Sequence, residues 1–518
     1  MFTSRRIASA LSPGVRKYSD CASSSNKKGL VLGAYDGCDF GELKLTRTAA
    51  RFDEATGGKL KMLLKGGAGI KKGVAKVFSN VHPEFLSIAV TGLGHQGIGE
   101  SNKESLDLCK ENIRWASGLG AAVLQDEGIP NIFVEEFTSA ESAAEGAALA
   151  VWKYQVHKRK ENQIPASKLE IFESDDRDGW QRGILKAECQ NLARKLEETP
   201  SNLMTPSILS QVALDTLCPC GVSVEVREKD WLESKKFNAF LSMAKGSCEE
   251  PLMLELGYCG STPDDKPIVF VGKGVTFDSG GTCLKRCDGM SEYRGDMAGA
   301  AVLIALFKCV ATMALPINIR AILPLCENMI GGMALRPGDV LTARNGKSVV
   351  VEDTDNEGRV ILVDALAHAE CYSPCTVMTI ATLTPGIRNA LGGGASGVFS
   401  TSDAVWRELE RAGGETGDRV WRLPFWKYFS HLVTSYSDAD VNNVGIGEGG
   451  GPCLGAAFLL EFAPKTDFVH LDITGSGLMS TGIGYPYLKK GYMTGRPVRT
   501  LAQFLWQISC PHEKGDEC

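Results

Sequence analysis

The sequence lacks an uninterrupted apolar stretch of about 20 residues, the length that a membrane-spanning helix requires. It also lacks an excess of basic residues, because its formal net charge of −6 gives no general attraction to nucleic acid. Its 17 cysteines do not form the repeated CxxC pattern of a zinc ribbon. We therefore expect neither a membrane protein nor a nucleic-acid-binding protein, and we expect reduced cysteines in an intracellular compartment.

Two further absences concern catalytic and binding motifs. None of the seven histidines forms HExxH, and His470 lies in an apolar run, where a buried core histidine is more common than a metal ligand. The glycine-rich stretches 391–397 and 445–455 match neither GxGxxG nor a P-loop. We therefore expect no histidine-based metal site and no bound nucleotide.

The N-terminal segment has a composition of its own. It contains several serines and no acidic residue before Asp20, and apolar residues recur in it at helical spacing. This is the composition of a mitochondrial transit peptide, which we assign to residues 1–28, so the mature protein is predicted to reside in the mitochondrial matrix. A disordered leader on a cytoplasmic protein is the alternative. The cationic residues among the first 19 are Arg5, Arg6, Arg16 and Lys17.

Beyond the leader, short β-type runs alternate with helix-like segments, which is typical of an α/β protein. A charged stretch followed by Pro165 indicates a boundary. We assign 29–165 to a first α/β domain, 166–179 to a linker and 180–518 to a larger α/β domain. Compact apolar runs in the second domain, such as 268–271, predict a central sheet covered by helices on both faces.

The strongest functional signal lies in two segments, 271–281 and 353–359, and in the residues that follow the first. They place lysine, aspartate and glutamate beside apolar runs, where an unpaired charge is unfavourable. A pair of divalent cations would neutralise these groups. Taken alone, an acidic turn is more often a solvated loop, so the combination carries the prediction. The candidate ligands are Lys273, Asp278, Asp296, Asp355 and Glu357.

The chemistry of a metal pair suits this set of residues. Two divalent ions about 3.5–4 Å apart need bridging carboxylates, and they can activate a shared water while polarising a carbonyl. A lysine binds metal only when neutral, so we expect burial and the cations to lower the pKa of Lys273. Lys285 and Arg359 add two cations, which suit stabilisation of an oxyanion or capture of a small anion.

The same segments, together with 293–297, resemble the leucine (cytosol) aminopeptidases, whose signature reads Asn-Thr-Asp-Ala-Glu-Gly-Arg-Leu. The resemblance extends over nearly the whole chain from Gly29. It implies a macro-like N-terminal domain, a catalytic C-terminal domain with a mixed sheet, and a homo-hexamer whose active sites face an interior cavity that admits short peptides.

The resemblance also implies roles for individual residues. One metal would be held by Asp278, Asp355 and Glu357, and the other by Lys273, Asp278, Asp296 and Glu357. A metal-bridging hydroxide would attack the peptide, Lys285 would stabilise the gem-diolate, and Arg359 would hold a bicarbonate that serves as general base. The implied ions are zinc or manganese, with magnesium or cobalt as alternatives. The implied function is release of neutral or hydrophobic N-terminal residues from short peptides.

The sequence departs from the family pattern at several positions. Asp353 replaces Asn and Asn356 replaces Ala, so the metal loop carries an additional carboxylate. Tyr293 and Pro385 replace Met and Gly in the expected substrate pocket, to which we also assign Thr382, and the preference for leucine is therefore open. The alternative function is a catalytically weakened paralogue that serves as a structural hexameric assembly protein in mitochondria.

Overall fold

The computed structural model describes residues 27–36, 44–65, 70–482 and 484–510. The transit peptide predicted at 1–28 lies outside these ranges except for its last two residues, and so it stays a prediction. The described chain contains two main sheets with helices packed on both faces of each. The predicted α/β fold class is confirmed.

The first sheet has the strand order β3-β4-β1-β7-β8, with β2 on β1. Strands β4, β1, β7 and β8 are parallel, whereas β3 and β2 are antiparallel additions. In chain order, the helices and strands of this first part of the chain are β1 (Lys28–Tyr35), β2 (Lys44–Leu45), α1 (Arg47–Ala55), α2 (Lys59–Lys65), β3 (Ala75–Ser79), β4 (Ser87–Gly92), β5 (Glu100–Ser101), β6 (Leu106–Asp107), α3 (Leu108–Asp126), β7 (Asn131–Glu135), α4 (Ala140–Val151) and β8 (Lys168–Phe172).

The expected linker at 166–179 contains regular structure. Strand β8 pairs in parallel with β7, with Lys168 opposite Asn131, and so extends the first sheet. Helix α5 then begins at Arg177, and its N-cap Asp176 accepts a hydrogen bond from the backbone of Gly179. Only a few residues between β8 and α5 are therefore free to act as a connection.

The second sheet has the order β18-β17-β20-β16-β11-β13-β10-β9, with β12 on β13. The elements are α5 (Arg177–Glu198), α6 (Pro206–Leu217), β9 (Ser223–Arg227), α7 (Lys229–Ser234), α8 (Asn238–Ala244), β10 (Leu252–Cys259), β11 (Ile268–Gly272), β12 (Gly274–Asp278), α9 (Ala298–Thr312), β13 (Asn318–Asn328), β14 (Asp339–Thr342), β15 (Ser348–Val351), α10 (Glu357–Ala369), β16 (Thr376–Ala381), α11 (Pro385–Leu391), β17 (Ser396–Ser400), α12 (Asp403–Thr416), β18 (Val420–Arg422), α13 (Lys427–Thr434), β19 (Val441–Asn442), α14 (Gly451–Leu460), β20 (Asp467–Asp472) and α15 (Val498–Ser509).

Strands β20, β16, β11 and β13 at the centre of this sheet are parallel, and the strands outside them include antiparallel pairs, so the sheet is mixed. Side chains alternate between the two faces of a strand. In β11, Phe270 packs in the core that contains α9 and α15, whereas Val269 and Val271 pack in the core that contains α8 and α10. Both faces of β11 are covered, and this is why the strand needs a continuous apolar run.

Helix α9 crosses the sheet at close range. The run Met290–Thr312 has the length and apolar composition of a membrane-crossing helix, but 83% of its most apolar window is buried inside the protein, as expected for a core helix. A Cβ added at Gly299 would lie 2.1 Å from the carbonyl oxygen of Ile380 in β16. Glycine at this position therefore lets the start of α9 approach the strand ends.

A buried ion network joins the two parts of the chain. Arg499 of α15 contacts Glu145 of α4 at 2.8 Å and Asp418 at 3.1 Å. Glu145 also contacts Arg114 of α3 at 3.1 Å, and all four side chains are almost fully buried. Each charge in this network depends on its partners, because burial removes solvation by water.

We expect Arg499→Ala to lower the free energy of unfolding by about 3–5 kcal/mol, because the buried carboxylates of Glu145 and Asp418 each lose one of their two cationic partners. The matched control is Arg422→Ala, which removes an exposed ion pair with Asp403 and should cost about 0–1 kcal/mol. Urea denaturation measures both values. Equal effects of the two substitutions would contradict this account of the network.

Candidate metal centre

The candidate ligands lie where parallel strands of the second sheet end. Lys273 follows β11 directly, Asp278 is the last residue of β12, and Thr382 follows β16. In open α/β sheets the carboxyl ends of the strands are the usual position of ligand sites. The topology therefore brings to one edge residues that are far apart in sequence.

The other carboxylates come from the starts of two helices. Asp296 ends the 3-10 turn Met290–Gly295 and precedes α9, whereas Glu357 is the first residue of α10. Asp355 lies in the 3-10 turn Thr354–Asn356 just before it. The helix dipole of α10 favours a negative charge at its first residue, which helps to hold Glu357 in place.

Two lysines connect these carboxylates. The Nζ of Lys273 lies 2.7 Å from Asp296 Oδ2 and 2.6 Å from Glu357 Oε1, and it donates a hydrogen bond of 2.8 Å to the carbonyl of Thr382. The Nζ of Lys285 lies 2.8 Å from Asp278 Oδ2 and also pairs with Asp355. The structure thus brings all five predicted metal ligands and Lys285 into one cluster.

The space around Lys273 is tightly defined. A Cβ added at Gly358 would lie 2.9 Å from the Cε of Lys273 and 3.0 Å from its Nζ. Any larger residue would therefore push the ammonium group away from Glu357. This contact explains why glycine follows the glutamate in the segment 353–359.

The carboxyl groups have raised pKa values. Burial, and then the charge of Glu357, raise the pKa of Asp278 to about 6. Burial, opposed by Lys273 and reinforced by Asp296, raises the pKa of Glu357 to about 7. The pKa of Asp296 and that of Asp355 are also raised, first by burial. The four carboxylates of this site therefore carry more negative charge than the two lysines balance.

The protein groups around Lys273 shift its pKa upward. Burial lowers the pKa of Lys273, but Asp296, Glu357 and Asp278 outweigh burial and raise it. Among the protein groups alone, Lys273 is therefore a protonated counter-ion. The predicted lowering of its pKa requires cations that take over the role of neutralising these carboxylates.

Three of the carboxylate side chains could hold a divalent metal ion. Oxygen atoms of Asp278, Asp355 and Glu357 lie within 4.8 Å of one another, and these are the three residues assigned to one of the two ions. Asp296 Oδ2 and Asp355 Oδ1 are buried and accept no well-aligned hydrogen bond from the described residues. Carboxylate oxygens of this kind suit magnesium and manganese, and zinc also accepts them.

Sequence reasoning missed a residue that orients a candidate ligand. The side-chain amide of Asn328, the last residue of β13, donates hydrogen bonds to Asp278 Oδ1 at 2.8 Å and to the carbonyl of Thr354 at 3.0 Å. Asn328 lies opposite Asp278 in the register of β12 and β13. A polar residue at the end of a buried strand is the signal that could have indicated it.

The two departures in the metal loop form one local structure. Asp353 accepts hydrogen bonds from the backbone of Asp355 at 2.9 Å and from the side-chain amide of Asn356 at 3.0 Å. The additional carboxylate therefore has its own donors within the loop. Asn443 fixes the same loop, since it donates to the Asp353 carbonyl at 2.7 Å.

Arg359 is buried on α10 beside this loop. It donates a hydrogen bond of 2.5 Å to the carbonyl of Asn443, and its Nε has no hydrogen-bond partner among the described residues. Burial lowers the pKa of Arg359 to about 10, even though Asp472, Asp353 and Glu357 oppose that shift. A buried guanidinium with an unpaired N–H could bind a small anion.

The three expected pocket residues have different surroundings. The centroid of the Tyr293 ring lies 3.9 Å from Lys285 Nζ. Thr382 is buried, and its hydroxyl donates to Asp296 Oδ1 at 2.7 Å. Pro385 is exposed at the first position of α11. The structure thus brings Tyr293 and Thr382 to the cluster and leaves Pro385 at the surface of the protomer.

His470 lies in the core, as expected. It is fully buried, with its Nδ1 2.8 Å from the hydroxyl of Thr379. Burial, and then the charge of Arg359, lower its pKa to about 3. His470 is therefore neutral and lies outside the cluster of candidate ligands.

Comparisons with known proteins show the family to which the chain belongs. The profile described as "Cytosol aminopeptidase family, catalytic domain" matches residues 191–502, and that described as "Cytosol aminopeptidase family, N-terminal domain" matches residues 31–161. The chain belongs to the cytosol aminopeptidase family. The resemblance inferred from its motifs is thereby confirmed, and membership supports an aminopeptidase, which is a peptidase hydrolase.

Curated members of the cytosol aminopeptidase family match along most of the chain. The cytosol aminopeptidase of Xenopus tropicalis is 44% identical over 491 residues, which cover 94% of each chain. That of Homo sapiens is 42% identical over 487 residues, which cover 93% of each chain. Among solved structures, the bottromycin maturation enzyme BotP in complex with Mn has a TM-score of 0.79 at 26% identity, covering 94% of this chain and 100% of its own.

The raised carboxyl pKa values predict a pH-dependent response to metal. Protons compete with cations for Asp278 and Glu357 below about pH 6–7, so the increase in Tm caused by Mn²⁺ should be larger at pH 8 than at pH 5.5. Asp278→Asn should lose most of this increase, whereas the exposed control Asp403→Asn should keep it. Thermal shift assays measure it, and equal shifts at the two pH values would contradict the prediction.

Without added metal, the stability that these carboxyl groups contribute decreases as the pH rises. The folded protein holds protons on these carboxyls at pH values where the unfolded chain, with ordinary values near 4, has released them. Their contribution to stability is therefore present at low pH and is lost as the pH rises from about 4 to about 7.

Proposed function

We propose that this protein is a two-metal aminopeptidase that releases neutral or hydrophobic N-terminal residues from short peptides. The observation that carries the proposal is the buried cluster of Lys273, Asp278, Asp296, Asp355 and Glu357, which contains more negative than positive charge. Family membership supports the peptidase activity. The cluster supports dependence on metal.

The ligand positions divide between two ions. Asp278, Asp355 and Glu357 would hold one, and Lys273, Asp278, Asp296 and Glu357 the other. The ions would supply activation of a water molecule and polarisation of the scissile carbonyl. Zinc and manganese are the proposed ions, with magnesium and cobalt as alternatives, and the Mn complex of the related BotP supports manganese.

Lys285 is placed to act on the substrate. Burial lowers its pKa, but Asp278 and the other carboxylates raise it overall, so its ammonium group stays charged. Among the cluster lysines it is the more exposed, because 11% of its side chain is accessible against 3% for Lys273. Lys285 can therefore donate a hydrogen bond to the oxygen that gains negative charge as the peptide is attacked.

Arg359 would hold an anion that acts as general base. Its free Nε supports this role, since a carboxylate-like anion such as bicarbonate would satisfy the buried N–H. Arg359 would hold and orient such an anion, which would supply general-base chemistry beside the candidate metal centre.

We extend the proposal to assembly and location. A homo-hexamer follows from the resemblance to the family, and a mitochondrial matrix location follows from the composition of residues 1–28. Neither nucleic acid nor membrane is a proposed partner. The alternative of a catalytically weakened structural paralogue finds no support in the cluster, because every ligand position and both cationic residues retain the required residue type.

Aminopeptidase activity is tested with leucine amide and a panel of other aminoacyl amides, with added Mn²⁺ or Zn²⁺. We expect turnover by the wild-type protein and a loss of kcat of about 100- to 1,000-fold in Lys285→Ala, because the developing oxyanion loses its donor. Lys229→Ala, at an exposed ion pair on α7, is the control and should keep full activity. Absence of turnover in metal-loaded wild-type protein would contradict the proposal.

Side-chain preference is tested at Tyr293. Tyr293→Met should raise kcat/KM for leucine amide relative to alanine amide by about 10-fold, because a flexible side chain leaves more room for the substrate. Tyr293→Phe keeps the ring and should leave this ratio unchanged. If Tyr293→Met has the wild-type ratio, Tyr293 does not line the pocket.

A further inference from the structure

A second group of reactive side chains lies at the other end of α10. Glu357 begins this helix, and His368 lies in its last turn, about 15–20 Å away along the axis. Around His368 are Cys371, Glu255 and Tyr372, which we call the Cys371 cluster. None of these residues belongs to the candidate metal centre.

The hydrogen bonds of the Cys371 cluster form a chain. The Nε2 of His368 lies 2.7 Å from Glu255 Oε1, and its Nδ1 lies 3.7 Å from the Sγ of Cys371. Glu255 also accepts hydrogen bonds from the hydroxyl of Tyr372 at 2.8 Å and from Arg227 at 2.5 Å. A thiol, an imidazole and a carboxylate are therefore connected in the order of a nucleophile, a base and the group that orients the base.

The carboxylate determines which nitrogen of His368 is free. Burial raises the pKa of Glu255, but the hydrogen bonds from His368, Tyr372 and Arg227 lower it to about 2. Glu255 is therefore ionised and can only accept hydrogen bonds. In the neutral imidazole the proton must then lie on Nε2, which leaves the lone pair of Nδ1 directed at Cys371.

The ring of His368 cannot easily turn away. It packs against Trp231, Phe237 and Tyr372, with ring centroids 5.7, 5.4 and 5.9 Å away, and only 7% of the residue is exposed. Cys371 itself is exposed. A fixed, buried base thus faces a thiol that solvent and small molecules can reach.

Cys371 differs in this respect from the other exposed cysteines of the described chain. In the described residues no other cysteine sulfur lies within hydrogen-bond distance of a histidine nitrogen. These cysteines provide an internal reference for reactivity within the same molecule. The exposed reference residues are Cys218, Cys248, Cys259, Cys287 and Cys375.

We propose that Cys371 is a modification site that undergoes thiol–disulfide exchange with a small anionic disulfide. Glutathione disulfide is a compound of this class. The sulfur of Cys371 forms a bond to one sulfur of the disulfide as its proton passes to His368 Nδ1. The old disulfide bond breaks, and the second sulfur leaves as a thiolate that takes up the proton. Cys371 is thereby oxidised to a mixed disulfide, and half of the disulfide is reduced to a thiol.

The preference for an anion comes from Arg320. Its guanidinium lies over the ring of Tyr372 at 5.6 Å from the centroid and 4.0 Å from the sulfur of Cys259. Among the described residues Arg320 makes no ion pair, so its charge is available beside Tyr372 of the Cys371 cluster. A cation at this position attracts the carboxylates of such a disulfide.

The test uses the full chain treated with glutathione disulfide, and in parallel with iodoacetamide, followed by mass spectrometry of its peptides over time. We expect both reagents to modify Cys371 at least about 10-fold faster than each of the reference cysteines. His368→Gln removes the base but can keep a donor to Glu255, and it should reduce the rate at Cys371 at least about 10-fold without changing the reference rates.

Three results would overturn the proposal. A rate at Cys371 within the range of the reference cysteines would show that His368 does not activate it, and this wild-type comparison holds even if His368→Gln fails to fold. An unchanged rate in folded His368→Gln would remove the role of the base. Rapid alkylation without a mixed disulfide would show that an anionic disulfide is not the reagent that this site accepts.

Discussion

Crowding of negative charge in a buried site is the constraint on which the rest of the second domain depends. Four carboxylates, from Asp278, Asp296, Asp355 and Glu357, face two ammonium groups, and all of the carboxylates except that of Asp355 are almost fully buried. Burial, and then their mutual repulsion, raise their pKa values, and the crowded negative charge makes the site favourable for divalent cations. The surrounding fold must hold these groups together against that repulsion.

The fold does so with rigid elements. Strand ends position Lys273 and Asp278. Asp296 and Asp355 lie at short 3-10 turns and Glu357 begins α10, so no candidate ligand depends on a long free loop. The close contacts at Gly299 and Gly358 let backbone and side chains approach to distances that a larger residue would prevent. Groups held in this way lose little entropy when cations bind, which favours affinity.

Much of the candidate site could be predicted from the sequence because most of its candidate ligands lie in two short segments beside apolar runs. The family match carried the division of ligands between ions, which residue types alone could not give. The expected lowering of the Lys273 pKa depends on bound cations, because among the protein groups alone its carboxylate partners outweigh burial and raise that pKa.

Contacts between distant parts of the chain were beyond sequence reasoning. Asn328 supports Asp278 only because β12 and β13 pair in a particular register. The sequence shows Asp353 only as an additional carboxylate in the metal loop. The structure shows that this carboxylate accepts hydrogen bonds from the side chain of Asn356 and from the backbone of Asp355. Strand β8 was assigned to a linker because its short run follows a charged stretch with a proline, and pairing with β7 decides its structure.

The most direct test of the central claim is anomalous X-ray scattering from crystals grown with Mn²⁺ at pH 8. The account predicts two peaks in each protomer, one among Asp278, Asp355 and Glu357 and one beside Lys273 and Asp296. A single peak, or none, with Lys273 still paired to Asp296 and Glu357, would show that the cluster is a buried ion network and not a two-metal centre.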